Sequence, residues 1–236
     1  MPKPSFRFKQ FTIQQDRCAL KVGTDGVLFG AWVDHSGADR ILDIGTGTGV
    51  LALIAAQRNA KATVDAVEID DAAAEQAAEN AAASPWSGRV HVHRMDVRRM
   101  HSTDPFDLIL CNPPYYEGYS PAADDRVGVA KHSNELRFQE LVEAVERLLA
   151  PGGRLAVIVP LNREADLLTE ADRIGLAPKR RCSVRYVSHR PAKRVLLELD
   201  ASGGPVVEEQ LTLEATGPFD YSPEYRALIS DLMLNF

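Results

Sequence analysis

"ILDIGTGTGVLALIAA", residues 41–56, decides the fold. A short apolar run ends in glycines at alternate positions and passes straight into an Ala-rich apolar stretch at helical spacing. That order is strand, tight turn, helix. Gly45, Gly47 and Gly49 permit backbone conformations and a close approach that a Cβ would block. A pyrophosphate would call for Gly-x-Gly-x-x-Gly/Ala at such a turn and no neighbouring carboxylate. Here Val50 holds the sixth position and Asp43 stands just before the glycines. A bare backbone cradle beside a carboxylate suits a cationic, amine-bearing ligand.

Outward from this turn, short apolar or β-branched runs recur at 40–44, 63–69, 90–93, 107–110 and 154–159. Helical patterns separate them, at 51–58, at the Ala-rich 71–83, and through Leu141, Val145, Leu148 and Leu149, where Pro151-Gly152-Gly153 stops the helix. Strands alternating with helices at this pitch predict βαβ units and a parallel sheet. Beyond Pro160 the pattern changes. Residues 162–174 read as a helix, and 181–187 and 194–199 as two strands joined by the basic loop "SHRPAK". So short a loop predicts an antiparallel hairpin at one edge of the sheet. Near the end, Ser222 is placed to cap a helix with Pro223 at its first position. No repeat or low-complexity linker interrupts the chain. One domain over 1–236 is expected: a covering segment at 1–39, a cofactor-binding core at 40–160, and an edge hairpin with a C-terminal helix at 161–236.

The chain has 236 residues, a net charge of −6, 45% hydrophobic and 25% charged residues, which is ordinary globular composition and excludes disordered or fibrous classes. No apolar run reaches the roughly eighteen residues of a membrane span. The start lacks a continuous apolar stretch of the secretory kind. Cys18, Cys111 and Cys182 are far apart and in no metal-ligand spacing, so a reduced cytoplasmic setting is expected. The charge is unevenly spread. From Arg173 to Arg194 there are eight Lys/Arg and no Asp or Glu, and Lys3, Arg7, Lys9, Arg17 and Lys21 crowd the start. An acidic protein with a local basic stripe can still hold phosphates, because distant charge is screened within about 8–10 Å.

Two further acids complete a pattern. The second strand ends in Glu68, placed to accept hydrogen bonds from ribose hydroxyls. The third leads to Asp96 in "RMDVRR", placed to accept from an adenine amino group. Ligands of open α/β sheets bind at that carboxyl edge. Together "LDIGTGTG", Glu68, Asp96 and "NPPY" at 112–115 resemble the class I methyltransferases that use S-adenosylmethionine. The resemblance implies a Rossmann-like α/β fold with a mostly parallel seven-stranded sheet, an antiparallel edge hairpin and helices on both faces. It also implies Asp43 and the glycine loop near the methionine portion of the cofactor, Glu68 on its ribose, Asp96 on its adenine, and Asn112 in the same pocket.

The "NPPY" elbow has its own chemistry. An exocyclic or amide –NH₂ is a poor nucleophile because its lone pair is delocalised. The side-chain carbonyl of Asn112 can accept one N–H and the main-chain carbonyl of Pro113 the other, drawing the nitrogen toward sp³. Pro114 stiffens the elbow, and Tyr115 can stack on a planar substrate for about 1–3 kcal/mol. Adenine, cytosine, guanine and the glutamine amide all carry such a group. The glutamine-modifying enzymes share the elbow, but a helical domain precedes their glycine turn, and about forty residues are too few for one.

Those residues narrow the choice. "FRFKQFTIQQDRCALKVGTDGVLFGAW" resembles the N-terminal signature of the bacterial tRNA adenine N6-methyltransferases that modify the purine 3′ to the anticodon (position 37) of a valine tRNA. "NPPYY" and the terminal "YSPEYRALISDL" agree, with Tyr116 where many members carry Phe. The resemblance places Thr24 and Asp25 beside the cofactor pocket. It implies S-adenosylmethionine as cofactor and a tRNA anticodon loop as partner, held by the basic N-terminal segment and the 179–194 cluster. Other amino-bearing substrates (ribosomal RNA or DNA adenine, a protein glutamine) and a non-catalytic cofactor-binding protein are the alternatives. A nicotinamide oxidoreductase is disfavoured by Val50 and Asp43. No metal is expected at His91 and His93, and Cys111 reads as a buried, inert thiol. His132 and Asp124-Asp125 follow the elbow without an assigned role.

Overall fold

The computed structural model of the chain describes residues 4–113 and 136–234. A small antiparallel hairpin comes first, β1 (Ser5–Arg7) and β2 (Thr12–Gln14). The alternating core follows: α1 (Thr24–Trp32), β3 (Arg40–Ile44), α2 (Val50–Arg58), β4 (Thr63–Glu68), α3 (Asp71–Ala82), β5 (Val90–Arg94) and β6 (Phe106–Cys111). After the undescribed stretch come α4 (Phe138–Leu148), β7 (Leu149–Pro160), α5 (Glu164–Asp172), β8 (Ala177–Val187), β9 (Arg194–Asp200), β10 (Val207–Glu214) and α6 (Pro223–Ile229).

The main sheet runs β10-β8-β9-β7-β6-β3-β4-β5. Its five strands from β7 to β5 are mutually parallel, and β9 lies antiparallel between β7 and β8. This is the Rossmann-like α/β arrangement expected, with one correction: the sheet has eight strands, not seven. The β8–β9 hairpin is therefore not the edge. β10 pairs parallel with β8 and covers it. Its "VEEQLTLE" turns only Leu211 and Leu213 into the core, so alternation is too weak to mark it.

Successive strand residues face opposite sides. Ile41, Leu108, Leu110, Ala156 and Ile158 pack toward α1, α2 and the N-terminal hairpin; Leu42, Ile109, Leu155 and Val157 pack toward α4 and α5. The near-continuous apolar runs of the parallel strands follow from this two-sided burial. Helix α1 presses closely on α2 because Gly30 has no side chain: a Cβ there would stand 3.0–3.1 Å from Ile54 and Leu51. Asp70 caps α3 by accepting from Ala73 N–H, and Ser222 caps α6 by accepting from Tyr225 N–H. Helix α4 ends at Leu148, and β7 already takes in Pro151-Gly152-Gly153, where the sequence pattern places the helix stop.

The two ends of the sheet differ. At the amino ends of the strands, Asp107 accepts from the Asp39 and Arg40 N–H groups, and Arg40 reaches Asp65 and Asp104. Arg89 donates to the carbonyls of Ala56, Asn59 and Ala62, and Arg154 pairs with Asp34. Asp65 also takes a 2.6 Å contact from His93 on β5. The carboxyl ends carry the candidate site.

Candidate active site

A cavity of about 290 Å³ opens at the carboxyl ends of β3, β4, β5 and β6. Six of the residues singled out from sequence line it: Gly45, Gly47, Glu68, Asp96, Asn112 and Pro113. Gly45 has φ +72°, and a Cβ built there meets nothing within 4 Å. Gly47, at φ +56°, meets only the Cys18 sulfur at 3.8 Å. The turn thus shows bare backbone to open space, where side chains would intrude. Gly49 sits behind, at the α2 N-cap, with Ala77 of α3 as its neighbour.

Asp43 does not line the cavity. It is wholly buried beneath the turn, where Oδ2 accepts from the Thr46 hydroxyl (2.5 Å) and the Ala52 N–H (3.1 Å). Oδ1 is buried with no partner among the described residues. Burial pushes this carboxyl up to about 7, against the two hydrogen bonds and with help from nearby Glu68. Asp43 braces the glycine turn from below, whereas the sequence placed it against ligand.

Glu68 is aimed by main-chain donors. Oε2 accepts from Gly47 N–H at 2.9 Å, and Oε1 from Ile69 and Asp70 N–H, both at 2.9 Å. A carboxylate offers about four acceptor sites, so about one, on Oε2, is left for a ligand. Asp96 differs more from expectation. Both oxygens accept from the Arg98 guanidinium at 2.6–2.9 Å, and Oδ1 also from Arg98 N–H. Those bonds hold its carboxyl below the usual range. Arg98 is in turn anchored by Glu140 of α4 at 3.1 Å. An adenine amino group would have to compete with a bidentate arginine.

Thr24 and Asp25, at the start of α1, are likewise absent from the cavity lining. Asp25 is bonded instead to Tyr186 of β8 and, at 3.0 Å, to Arg194 of β9. Their helix does touch the site: a Cβ on Gly26 would stand 3.8 Å from Asn112 Nδ2. Asn112 is half-buried and Pro113 buried at the end of β6. Tyr115, with Pro114, Tyr116, His132 and Asp124-Asp125, lies outside the described residues.

The sequence leads to a covering segment at 1–39 but assigns no pocket residue at 18–20, which roof the cavity. Residues 18–20, before α1, close one side, and Met95, Val97 and Leu136 complete the apolar wall beside Arg98. The roof is clipped to α3 by two buried amides. Gln76 accepts from the N–H groups of Arg17 and Cys18 and donates to Asp16. Asn80 accepts from Gln14 N–H and donates to the carbonyls of Gln14 and Thr48, joining hairpin, helix and glycine turn. The available signal was the pair itself: two amides four residues apart on an alanine face. Burial raises the Cys18 thiol, as it does Cys111.

The basic cluster is largely spoken for. Arg180 lies 4.1 Å over Trp32 and pairs with Glu209, Arg181 pairs with Glu164 and Glu208, and Arg194 with Asp25. Near the start, Arg17 pairs with Glu75 and Glu79. Arg185, Arg190 and Lys193 enter no ion pair among the described residues. His93 is bonded to Asp65, and no group of three or more metal-ligating side chains occurs among the described residues. No described helix is long and apolar enough to cross a membrane.

A glycine cradle at the first strand of a parallel sheet, an acid at the tip of the second, and an Asn-Pro pair at the tip of the fourth define the class I methyltransferase arrangement. A family model, the methyltransferase small domain, matches residues 23–169. Two solved structures share the fold. One is a predicted O-methyltransferase, Atu636, from Agrobacterium tumefaciens (TM-score 0.65, 19% identity, covering 87% of this chain and 95% of that one). The other is Pyrococcus horikoshii TYW2 in complex with MeSAdo (TM-score 0.59, 18% identity, covering 83% and 69%). Over nearly its whole length the chain is 44% identical to a tRNA1(Val) (adenine(37)-N6)-methyltransferase of Trichodesmium erythraeum, covering 98% of each. It is 45% identical to the one of Tolumonas auensis, covering 98% of this chain and 97% of that one. The chain belongs to the tRNA1(Val) (adenine(37)-N6)-methyltransferase family, within the methyltransferase small domain class.

S-adenosylmethionine is the cofactor of such an enzyme, and the residues present fit it. Gly45 and Gly47 leave a backbone cradle open, and Glu68, Asp70 and Asp96 outnumber Arg98 around the cavity, which suits a cation. Apolar Val67, Ile69, Met95 and Val97 suit a flat heterocycle.

Proposed function

We propose that this protein transfers a methyl group from S-adenosylmethionine to N6 of adenine 37 in a valine tRNA. One observation carries the assignment of chemistry: Asn112 and Pro113 stand at the end of β6, on the wall of the same cavity as the glycine turn and Glu68. The acceptor pair thereby faces the place where the cofactor binds.

The glycine turn would hold the amino-acid end of the cofactor by main-chain contact, and Glu68 would accept from its ribose through the acceptor site left on Oε2. Asp96 acts through Arg98, whose guanidinium it fixes at the cavity wall. When bound, S-adenosylmethionine supplies an electrophilic methyl group on a sulfonium. Asn112 Oδ1 and the Pro113 carbonyl accept the two amino hydrogens of adenine, hold N6 in line and concentrate its lone pair. No strong base is required of the protein, because the amino proton becomes acidic only as the new N–C bond forms. Tyr115 is the stacking partner of the base.

The chain is one methyltransferase domain, with 1–39 covering the cofactor, 40–160 binding it, and 161–236 forming the flank. The enzyme works in the cytoplasm on the anticodon loop, whose unstacked bases are extruded at less cost than in a duplex. Arg7 and Lys9 near the start, and Arg185, Arg190 and Lys193, contact phosphates. The test is methylation of unmodified tRNA by the purified protein, followed by digestion and nucleoside mass spectrometry, with Asn112→Ala in parallel. N6-methyladenosine from the wild type but not the variant is expected. No methylated adenosine, with cofactor bound, would overturn the substrate and keep the fold.

A further inference from the structure

The carboxyl end of the sheet extends beyond the cavity. β7 runs parallel to β6, β9 antiparallel to β7, β8 antiparallel to β9, and β10 parallel to β8. Strands β8 and β10 therefore end on the same side as Asn112. Two loops meet there, 188–193 after β8 and 215–222 after β10. They are tied together where Ser188 donates from its N–H to Glu214 O at 3.1 Å and from its hydroxyl to Ala215 O.

The second loop presents Phe219 to solvent. The residue is 78% exposed, and its backbone sits at φ +69°, where it is the one non-glycine residue among those described. A phenylalanine is disfavoured in that region, and such outliers persist where surrounding bonds impose them. The bonds are present. Phe219 N–H donates to Glu214 Oε1 (3.0 Å), Asp220 N–H to Gly217 O (3.1 Å), Ala215 N–H to Asp220 O (2.7 Å), and Thr216 Oγ1 to Asp220 Oδ2 (2.7 Å). They also turn the Asp220 carboxylate, and that of Glu214 at the end of β10, onto the loop's own donors. Behind Phe219, Tyr221 packs edge-on at 6.5 Å and leans on Tyr225, which is buried. The ring is held out from the surface by a braced loop with an aromatic stem.

The tied 188–193 loop carries Arg190 and Lys193, and the end of β8 carries Arg185, three cations without ion pairs among the described residues. We propose that the 215–222 loop is a stacking post for an unpaired base of the substrate RNA, with Phe219 as the platform and the 188–193 loop on the flanking phosphates. The proposal rests on the tRNA assignment above and extends it to a contact outside the catalytic cavity. Four strand spacings separate β10 from β6, about 19 Å. At about 3.4 Å per stacked nucleotide that is five or six nucleotides from the target, within one stem-loop. A rigid aromatic is suited to this, since every base has a face to stack and little side-chain freedom is lost.

The test is tRNA affinity and methyl-transfer kinetics for wild type, Phe219→Ala, Phe219→Leu and Phe219→Trp. Methylation of tRNA by the wild type checks the underlying assignment independently. Given that, the Ala and Leu variants are expected to raise the KM for tRNA roughly five- to hundredfold, the span of one base stack, with kcat and cofactor affinity unchanged and Trp restoring affinity. Wild-type KM in Phe219→Ala and Phe219→Leu overturns the proposal. A changed oligomeric state by light scattering without loss of tRNA affinity also overturns it, and makes the post a protein contact.

Discussion

Asn112 and Asp43 show how a residue's task depends on what surrounds it. Removing one preorganised acceptor from a reacting centre costs about 10²–10³ in rate. Asn112→Ala is thus expected to lower kcat by that factor while cofactor affinity, measured by calorimetry, shifts only a few-fold. A large loss of both would make Asn112 a structural support of the pocket. Asp43 makes the opposite case. Its folded pKa of about 7 lies above the ordinary 3.8, so the folded state holds a proton that the unfolded chain has released. Stability from this group is complete below about pH 4 and is lost as pH rises toward 7. Asp43→Asn cannot titrate. The stability of the variant relative to wild type, from urea melts, should rise between pH 5 and pH 8; a flat difference would place the Asp43 pKa near its ordinary value. The position of Asp43 in sequence located the turn correctly, but not its depth. Spacing cannot tell a carboxylate above a glycine loop from one beneath it, nor foresee that Arg98 takes both oxygens of Asp96.

Elements built from strong periodicity were legible from sequence. The five parallel strands carry unbroken apolar runs because helices cover both faces, and α2, α3 and α6 have their turn or cap residues in view. β10 was hidden, because it has one buried face and only two core leucines. The way the covering segment is held over the cavity was hidden for another reason. The segment's strands have three residues each, and its hold on the body comes from Gln76 and Asn80 sixty residues away. Gln76 offers a test of that hold. Gln76→Leu leaves the buried N–H of Cys18 and the N–H of Arg17 without acceptors, at about 1–3 kcal/mol for each group that stays dry. The expected result is faster hydrogen exchange at residues 14–20 and about tenfold weaker cofactor binding, with kcat at saturating cofactor little changed. Unaltered cofactor affinity would mean the roof takes no part in holding the ligand.

At the scale of the molecule, charge decides how RNA is met. The sequence shows eight cations between Arg173 and Arg194, yet Arg180, Arg181 and Arg194 serve internal ion pairs, and Arg173 pairs with Glu170. If Arg185, Arg190 and Lys193 carry phosphate contacts, with Arg7 and Lys9 adding two, log Kd against log salt should have a slope of about 3 to 4, at about 0.7 per phosphate for single strands. A slope near 6 in a filter-binding titration would mean the ion pairs open on the RNA. The distribution of these bonds divides the protein end to end. The stitching of Arg40, Asp65, Arg89, Asp107 and Arg154 lies where the strands begin, and the cradle, elbow and aromatic post lie where they finish. Mutations are ordinarily caught between a stability threshold and the needs of a working site. Here the stitched end answers to the first demand alone, so a lineage could tighten it for a hotter habitat, or loosen it for a colder one, and leave the residues of the opposite end as they are.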